Sequence, residues 1–186
     1  MEINTKGFWE NPTNKGHHHD PNLAKAIVML LYRLNLTSVL DLGCGMGEYS
    51  RILQLNKFYV EAYDGNPHTP QLTQGLGKVI DLSKYIDFDE GFDCVMSLEV
   101  GEHIPEEFEQ TFLDNICRHC YYDGLIILSW AIPGQPGDGH VNCKPNSYII
   151  DQMAARDWQY SQRLSKQLRL AAHLPWFKNT LMVFQK

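Results

Sequence analysis

Glu99, Glu102 and His103 stand together in the stretch Glu99-Val100-Gly101-Glu102-His103-Ile104-Pro105. If the chain turns helically there, they occupy positions i, i+3 and i+4 and share one face. Two carboxylates crowded together repel unless one is protonated or a cation bridges them. A divalent metal held by an imidazole and carboxylate oxygens resolves that conflict. Without a metal the same imidazole can cap the turn or accept a proton, so the pattern alone leaves both chemistries open. A second imidazole, His140, lies in Gly137-Asp138-Gly139-His140-Val141-Asn142. The polar, Gly- and Pro-rich stretch around it, 131–145, is long enough to predict a functional loop.

A different chemistry is offered by Val39-Leu40-Asp41-Leu42-Gly43-Cys44-Gly45-Met46-Gly47. Glycines at the end of an apolar run allow positive φ and let a ligand approach bare backbone. The spacing is GxGxG, not the GxGxxG of dinucleotide sites, and by itself it is compatible with a simple turn. Acids follow it in order. Asp64-Gly65 comes about twenty residues beyond the loop, where a carboxylate can accept two hydrogen bonds from ribose hydroxyls. Asp81-Leu82 offers an acceptor for an adenine amine, and Ser97-Leu98 leads into Glu99.

These residues need elements to position them. Asp20-Pro21 predicts a helix start, with Leu23, Ile27, Leu30, Leu31 and Leu34 recurring at helical spacing. Strands are predicted over 38–42, 58–63, 78–80, 92–98 and 125–130, and helices over 48–56 and 106–120. The tail predicts a helix over 147–156, a strand over 158–161, a helix over 164–172 and a last strand over 180–184. Strands alternating with helices mean right-handed βαβ units and a mostly parallel sheet. The strand ends carrying Asp41, Asp64, Asp81 and Glu99 then line one edge, where ligands bind in open α/β sheets.

VLDLGCGMGEYS, an acid at the next strand end and FDCVMSLEVGEHIP together resemble a class I S-adenosylmethionine-dependent methyltransferase, over residues 36–186. The resemblance implies an α/β, Rossmann-like, doubly wound sheet of seven strands, mostly parallel with an antiparallel last strand. It implies a single domain over 1–186, with residues 1–35 capping the cofactor and substrate pocket. Asp41, Gly43, Cys44, Gly45 and Gly47 would form the methionine-side loop, Asp64 and Gly65 would hold the ribose, and Asp81 and Leu82 would face the adenine, with Ser97 and Leu98 beside them. In that strand order the fourth and fifth strands are neighbours, so the loops bearing His103 and His140 meet over the cofactor.

ExxEH with a later His is similar to the metal site of small-RNA 3′-terminal ribose 2′-O-methyltransferases, and its ExxEH portion to that of ubiquinone-pathway O-methyltransferases. That similarity implies magnesium or manganese on Glu99, Glu102, His103 and His140, with Glu102, His103 and His140 carrying the chemistry. It implies methyl transfer to a hydroxyl of a vicinal diol, and a sugar or glycan is the favoured acceptor. Ribose methylation at RNA ends, a metal-free small-molecule reaction with His103 or His140 as base, and a catalytically silent cofactor-binding partner are the readings left open.

The 186 residues hold 16 Lys and Arg against 22 Asp and Glu, a net charge of −6. Such a surface lacks the basic footprint of duplex nucleic-acid binding and favours a small or neutral acceptor. The absence of an apolar run of about 18 residues argues against a membrane span, and with no signal-like N-terminus a cytoplasmic protein is expected. The five Cys are odd in number and scattered, which predicts reduced thiols. Cys117-Arg118-His119-Cys120 is a lone CxxC that fits a buried helix end better than a zinc site. His17-His18-His19 predicts a solvated turn before the first helix, with coverage of the pocket as the alternative. Phe8-Trp9, Trp130 and Trp176-Phe177 offer flat aromatic faces for a sugar ring. Nothing in the sequence indicates an oligomeric state.

Overall fold

A computed structural model describes residues 3–10 and 17–186, so residues 1–2 and 11–16 of the expected N-terminal cap lie outside the described residues. Helix α1 (Pro21–Arg33) begins as its sequence predicts. Asp20 Oδ1 accepts from the N–H groups of Asn22 and Leu23 at 3.1 and 3.0 Å, and Pro21 fills the first helical position. Its buried face is Leu23, Ala24, Ile27, Val28, Leu30 and Leu31.

Seven strands form one sheet: β1 (Ser38–Leu42), β2 (Tyr59–Asp64), β3 (Gly77–Val79), β4 (Phe92–Ser97), β5 (Cys120–Leu128), β6 (Gln159–Tyr160) and β7 (Met182–Gln185). Their order is β3-β2-β1-β4-β5-β7-β6. β7 runs antiparallel to both β5 and β6, while β3, β2, β1, β4 and β5 pair in parallel. This is the expected Rossmann-like α/β sheet. Between the strands lie α2 (Glu48–Leu55), α3 (Thr69–Leu72), α4 (Glu109–Arg118), α5 (Asn146–Ala154), α6 (Gln162–Ala171) and α7 (Phe177–Thr180).

The central strands are apolar on both faces because helices cover both, and their alternation sorts residues between two cores. Leu40, Leu42, Val95, Ile126 and Leu128 pack with Phe112, Ile116, Ile149 and Met153 on one face. Val39, Cys94, Met96, Leu125 and Ile127 pack with Leu23, Ile27, Leu53 and Leu164 on the other. Each fully buried Leu or Ile contributes about 2 kcal/mol of transfer free energy.

Two local expectations change. β5 starts at Cys120, five residues early, and a register shift between Phe92 and Cys94 accommodates the extra length beside β4. The last strand starts at Met182 because residues 177–180 close a helical turn first. The CxxC pair is split between α4 and β5 as free thiols. Cys117 Sγ lies 3.9 Å from Met153 Sδ, and burial pushes both thiols up to about 12, consistent with packing rather than metal ligation. Among the described residues no helix is long and apolar enough to cross a membrane.

Candidate functional site

The C-terminal ends of β1, β2 and β4 open onto a cavity of about 460 Å³, walled in addition by the loop after β5 and by the N-terminal segment. Its first half is the glycine loop. The N–H groups of Gly43 and Cys44 both donate to Tyr63 O, at 2.7 and 2.9 Å, which ties the loop to β2. Gly43 has φ +87°, and a Cβ there would fall 2.3 Å from Val100 Cγ2, so turn and close approach both require glycine. Gly45 N–H donates to Asp64 Oδ2 and Asn66 N–H to Asp64 Oδ1, each at 2.9 Å, so loop and acid form one unit. Asp41 is buried at the end of β1 and accepts from Ser50 Oγ; burial pushes its carboxyl up to about 7.

Asp41, Gly43, Cys44, Gly45, Asp64, Gly65, Leu82 and Leu98 line this half as expected. Three expected residues stand outside the lining. Asp81 is occupied by Lys6 Nζ at 2.6 Å and Ser83 Oγ at 2.5 Å. Ser97 is buried and donates to Leu42 O at 2.6 Å, bracing two strands. Gly47, at φ +71°, forms the turn into α2.

The second half follows β4. The chain does not continue as an α-helix: Glu99 has φ +53°, and a 3-10 turn, Gly101–His103, comes next. Glu99 thereby leaves the helical register it was expected to share, but its carboxylate stays in the cavity wall beside Glu102. Its Oε2 accepts from Gln135 Nε2 at 2.7 Å and its Oε1 from Thr180 Oγ1 at 3.2 Å. Of the four residues expected to gather, Glu102, His103 and His140 each place one ligating atom within 4.8 Å of the others.

Backbone carbonyls orient both rings. Nδ1 of His103 lies 3.1 Å from Gly139 O, and Nδ1 of His140 lies 3.1 Å from Gln135 O. A proton on each Nδ1 satisfies those carbonyls and leaves both Nε2 lone pairs free, the tautomer in which a backbone carbonyl holds a metal-ligating His. Glycines let the loop fold over the rings: a Cβ on Gly137 would fall 2.1 Å from His140 Nε2. His140 Nε2 is 3.9 Å from Glu102 Oε1. Glu102 is fully buried, and no side chain among the described residues donates to its oxygens, which have only the backbone N–H groups of Glu102 and Ala131 beside them. Burial, then the neighbouring Glu99 charge, pushes its carboxyl well above the usual range. Burial, then His140, holds His103 down at about 4 and therefore neutral.

The N-terminal segment joins the two halves. Phe8 packs on Gly65, His17 on Gly45, and Trp9 stands edge-on to both His17 and His103, with ring centroids 4.6 and 5.9 Å away. His17 is therefore not in a solvated turn; it is half-buried in the cavity wall, while His18 is exposed against Trp176. Trp130, expected as a platform, is fully buried, covering Gly101 and donating from Nε1 to Asn142 O at 2.6 Å. Lys6 and Gln135 carry no signal in the sequence, since each reaches its carboxylate across a long separation that spacing cannot register.

A family model described as Methyltransferase domain matches residues 16–180. The 2-methyl-6-phytyl-1,4-hydroquinone methyltransferase of Synechocystis sp. is 26% identical over 147 residues, which are 66% of this chain and 45% of that protein. A probable chloroplastic tocopherol O-methyltransferase of Oryza sativa subsp. japonica is 32% identical over 108 residues, 50% of this chain and 29% of its own length. The chain thus spans less than half the length of either relative. Among solved structures, a sugar N-methyltransferase from Streptoalloteichus sp superposes with a TM-score of 0.73 at 14% identity, over 100% of this chain and 98% of that one, a likeness of fold.

Proposed function

The chain belongs to the methyltransferase-domain family, and on that premise we propose that it is an S-adenosylmethionine-dependent O-methyltransferase that takes a vicinal diol, a sugar above all, with a divalent cation on Glu102, His103 and His140. The observation that carries this reading is Glu102. A buried carboxylate to which no side chain donates is strongly disfavoured. Protonation relieves it, and so does a cation, and a cation also uses the two imidazoles held with their Nε2 lone pairs free beside it. Two nitrogens and one oxygen suit manganese better than magnesium, which prefers oxygen ligands.

The residues present divide the work. S-adenosylmethionine, when bound, supplies a methyl group already activated on a sulfonium. Asp64, in the cavity lining, would accept the ribose hydroxyls, and the Gly43–Gly45 loop beside it would face the methionine portion. A divalent cation, when bound, lowers the pKa of a hydroxyl in contact with it and orients two neighbouring oxygens. His17, held neutral by burial and with Nε2 unpartnered, is the imidazole left to receive the acceptor's proton. Trp9 and Trp176 offer faces for a sugar ring, and the fold shared with a sugar N-methyltransferase supports that acceptor class. The relatives' names differ in the atom methylated, so oxygen is part of the proposal.

The test is methyl transfer from labelled S-adenosylmethionine to a panel of sugars, catechols and RNA 3′ ends, with manganese and with excess EDTA. Transfer to a diol that falls by about a hundredfold in EDTA and returns with manganese is expected; full activity in EDTA overturns the cation. One observation favours a second reading. His103 is held neutral with Nε2 free, so it can itself act as a base. Chelator-resistant activity abolished by His103→Ala is the mark of that reading.

A further inference from the structure

His140 sits in a loop, 131–145, with no regular secondary structure, yet its ring must hold a fixed place beside Glu102 if the three side chains are to act together. What fixes it lies behind the cavity wall. Glu109, the first residue of α4, is 1% exposed, and Asn142 is 4% exposed. Neither belongs to the cavity lining. Glu109 Oε2 accepts from Asn142 Nδ2 at 2.9 Å, and its Oε1 accepts from Tyr148 Oη at 2.6 Å and from Gln110 Nε2 at 3.2 Å. Lys144 Nζ lies 3.6 Å from Oε2.

Asn142 turns that buried carboxylate into a constraint on the site. Its backbone N–H and that of Val141 both donate to Glu102 O at 2.9 Å, and its carbonyl accepts from Trp130 Nε1. The strand-like contact it makes therefore joins the residue pair after His140 to the turn carrying Glu102 and His103. Hydrogen bonds to an ionised acceptor are the stronger and more directional kind. A carboxylate buried away from the reacting centre is retained at a desolvation penalty that a surface contact would not incur.

We propose that Glu109 is a positioning residue: through Asn142 it sets the distance of His140 from Glu102 and so the affinity of the site for a divalent cation. This rests on the cation reading above. Groups that hold metal ligands in place typically change affinity by about tenfold to a hundredfold when lost.

The experiment measures manganese affinity of the whole chain by the EPR signal of free manganese, with S-adenosylhomocysteine affinity by calorimetry and the melting temperature as controls. Asn142→Asp sets acceptor against acceptor. It is expected to weaken manganese binding at least tenfold, although the added negative charge alone would strengthen it, while leaving S-adenosylhomocysteine affinity within about twofold. The double variant Glu109→Gln/Asn142→Asp restores a donor facing an acceptor, with Gln Oε1 free for Tyr148, and is expected to recover wild-type affinity to within about threefold. Tyr148→Phe removes one hydrogen bond and gives an intermediate loss, which keeps the idea testable if Asn142→Asp does not fold.

Manganese affinity unchanged in Asn142→Asp and Tyr148→Phe would overturn the positioning role and leave the cation reading intact. Parallel losses of manganese, S-adenosylhomocysteine and melting temperature that the double variant does not recover would reduce Glu109 to a structural brace. Wild-type protein that binds no manganese would overturn the cation reading, and this inference with it.

Discussion

Asp41 and Glu102 are both buried carboxylates, and their surroundings separate them. Asp41 has a hydroxyl donor in Ser50, whereas Glu102 has no side-chain donor and another carboxylate beside it. Asp41 titrates near 7 when folded and near 3.8 when exposed, so the folded protein binds more protons between those values. Its contribution to stability is present below the lower value and is lost as pH rises through the upper one. Relative to Asp41→Asn, the apo protein is expected to lose up to roughly 4 kcal/mol between pH 4 and pH 7.5 in urea denaturation. A pH-independent difference would contradict the burial argument. At this scale the proximity of Glu102 and His103 was legible from residue type and spacing, that of His140 from the strand order the resemblance implied, and that of the glycine loop and Asp64 from their order along the chain. The hydrogen bonds of Glu99 to Gln135 and Thr180 were not, because its path depends on one positive φ, which no spacing rule anticipates in a residue with a side chain.

The turn after β4 is the element on which the site depends. Glu99 enters it in the left-handed region, Gly101 passes under the indole of Trp130, and His103 leaves it toward the Gly137–Gly139 backbone. A Cβ on Gly101 would fall 2.2 Å from Trp130 Cε3, and the indole is fully buried and hydrogen-bonded. Gly101→Ala must therefore shift the turn instead of the ring. It is expected to cost about 1–3 kcal/mol in chemical denaturation, as overpacking does, and to weaken cation binding in the same protein. A stability within 0.5 kcal/mol of wild type, the usual range for neutral surface changes, would show that the turn is not fixed by that contact. The loop over 131–145 was legible as functional from its length and composition. Its internal path was not, because Asn142 and Gln135 are held by contacts to residues more than thirty positions away.

Across the whole molecule, the mostly parallel sheet follows from the alternation of strands and helices in the sequence, while its seven-stranded order is what the family resemblance implied. Coverage of the cavity by the N-terminal segment is what the resemblance implied; the contacts of Lys6 with Asp81 and of His17 with Gly45 did not follow, nor did the link from Asp20 Oδ2 to the N–H groups of His173 and Leu174 at 2.6 and 2.7 Å. Both are long-range contacts between irregular segments, where periodicity carries no information. The molecule thus presents two half-sites in one cavity: a glycine loop with Asp64 at one end, and Glu102, His103 and His140 at the other. The most direct measurement of that account is electron spin-echo modulation of manganese bound to the intact protein. Nitrogen coupling from coordinated imidazole, reduced in His140→Ala and His103→Ala and unaffected by Glu99→Gln, is the result it predicts; stoichiometric manganese without nitrogen coupling, or with coupling indifferent to both histidines, would contradict it.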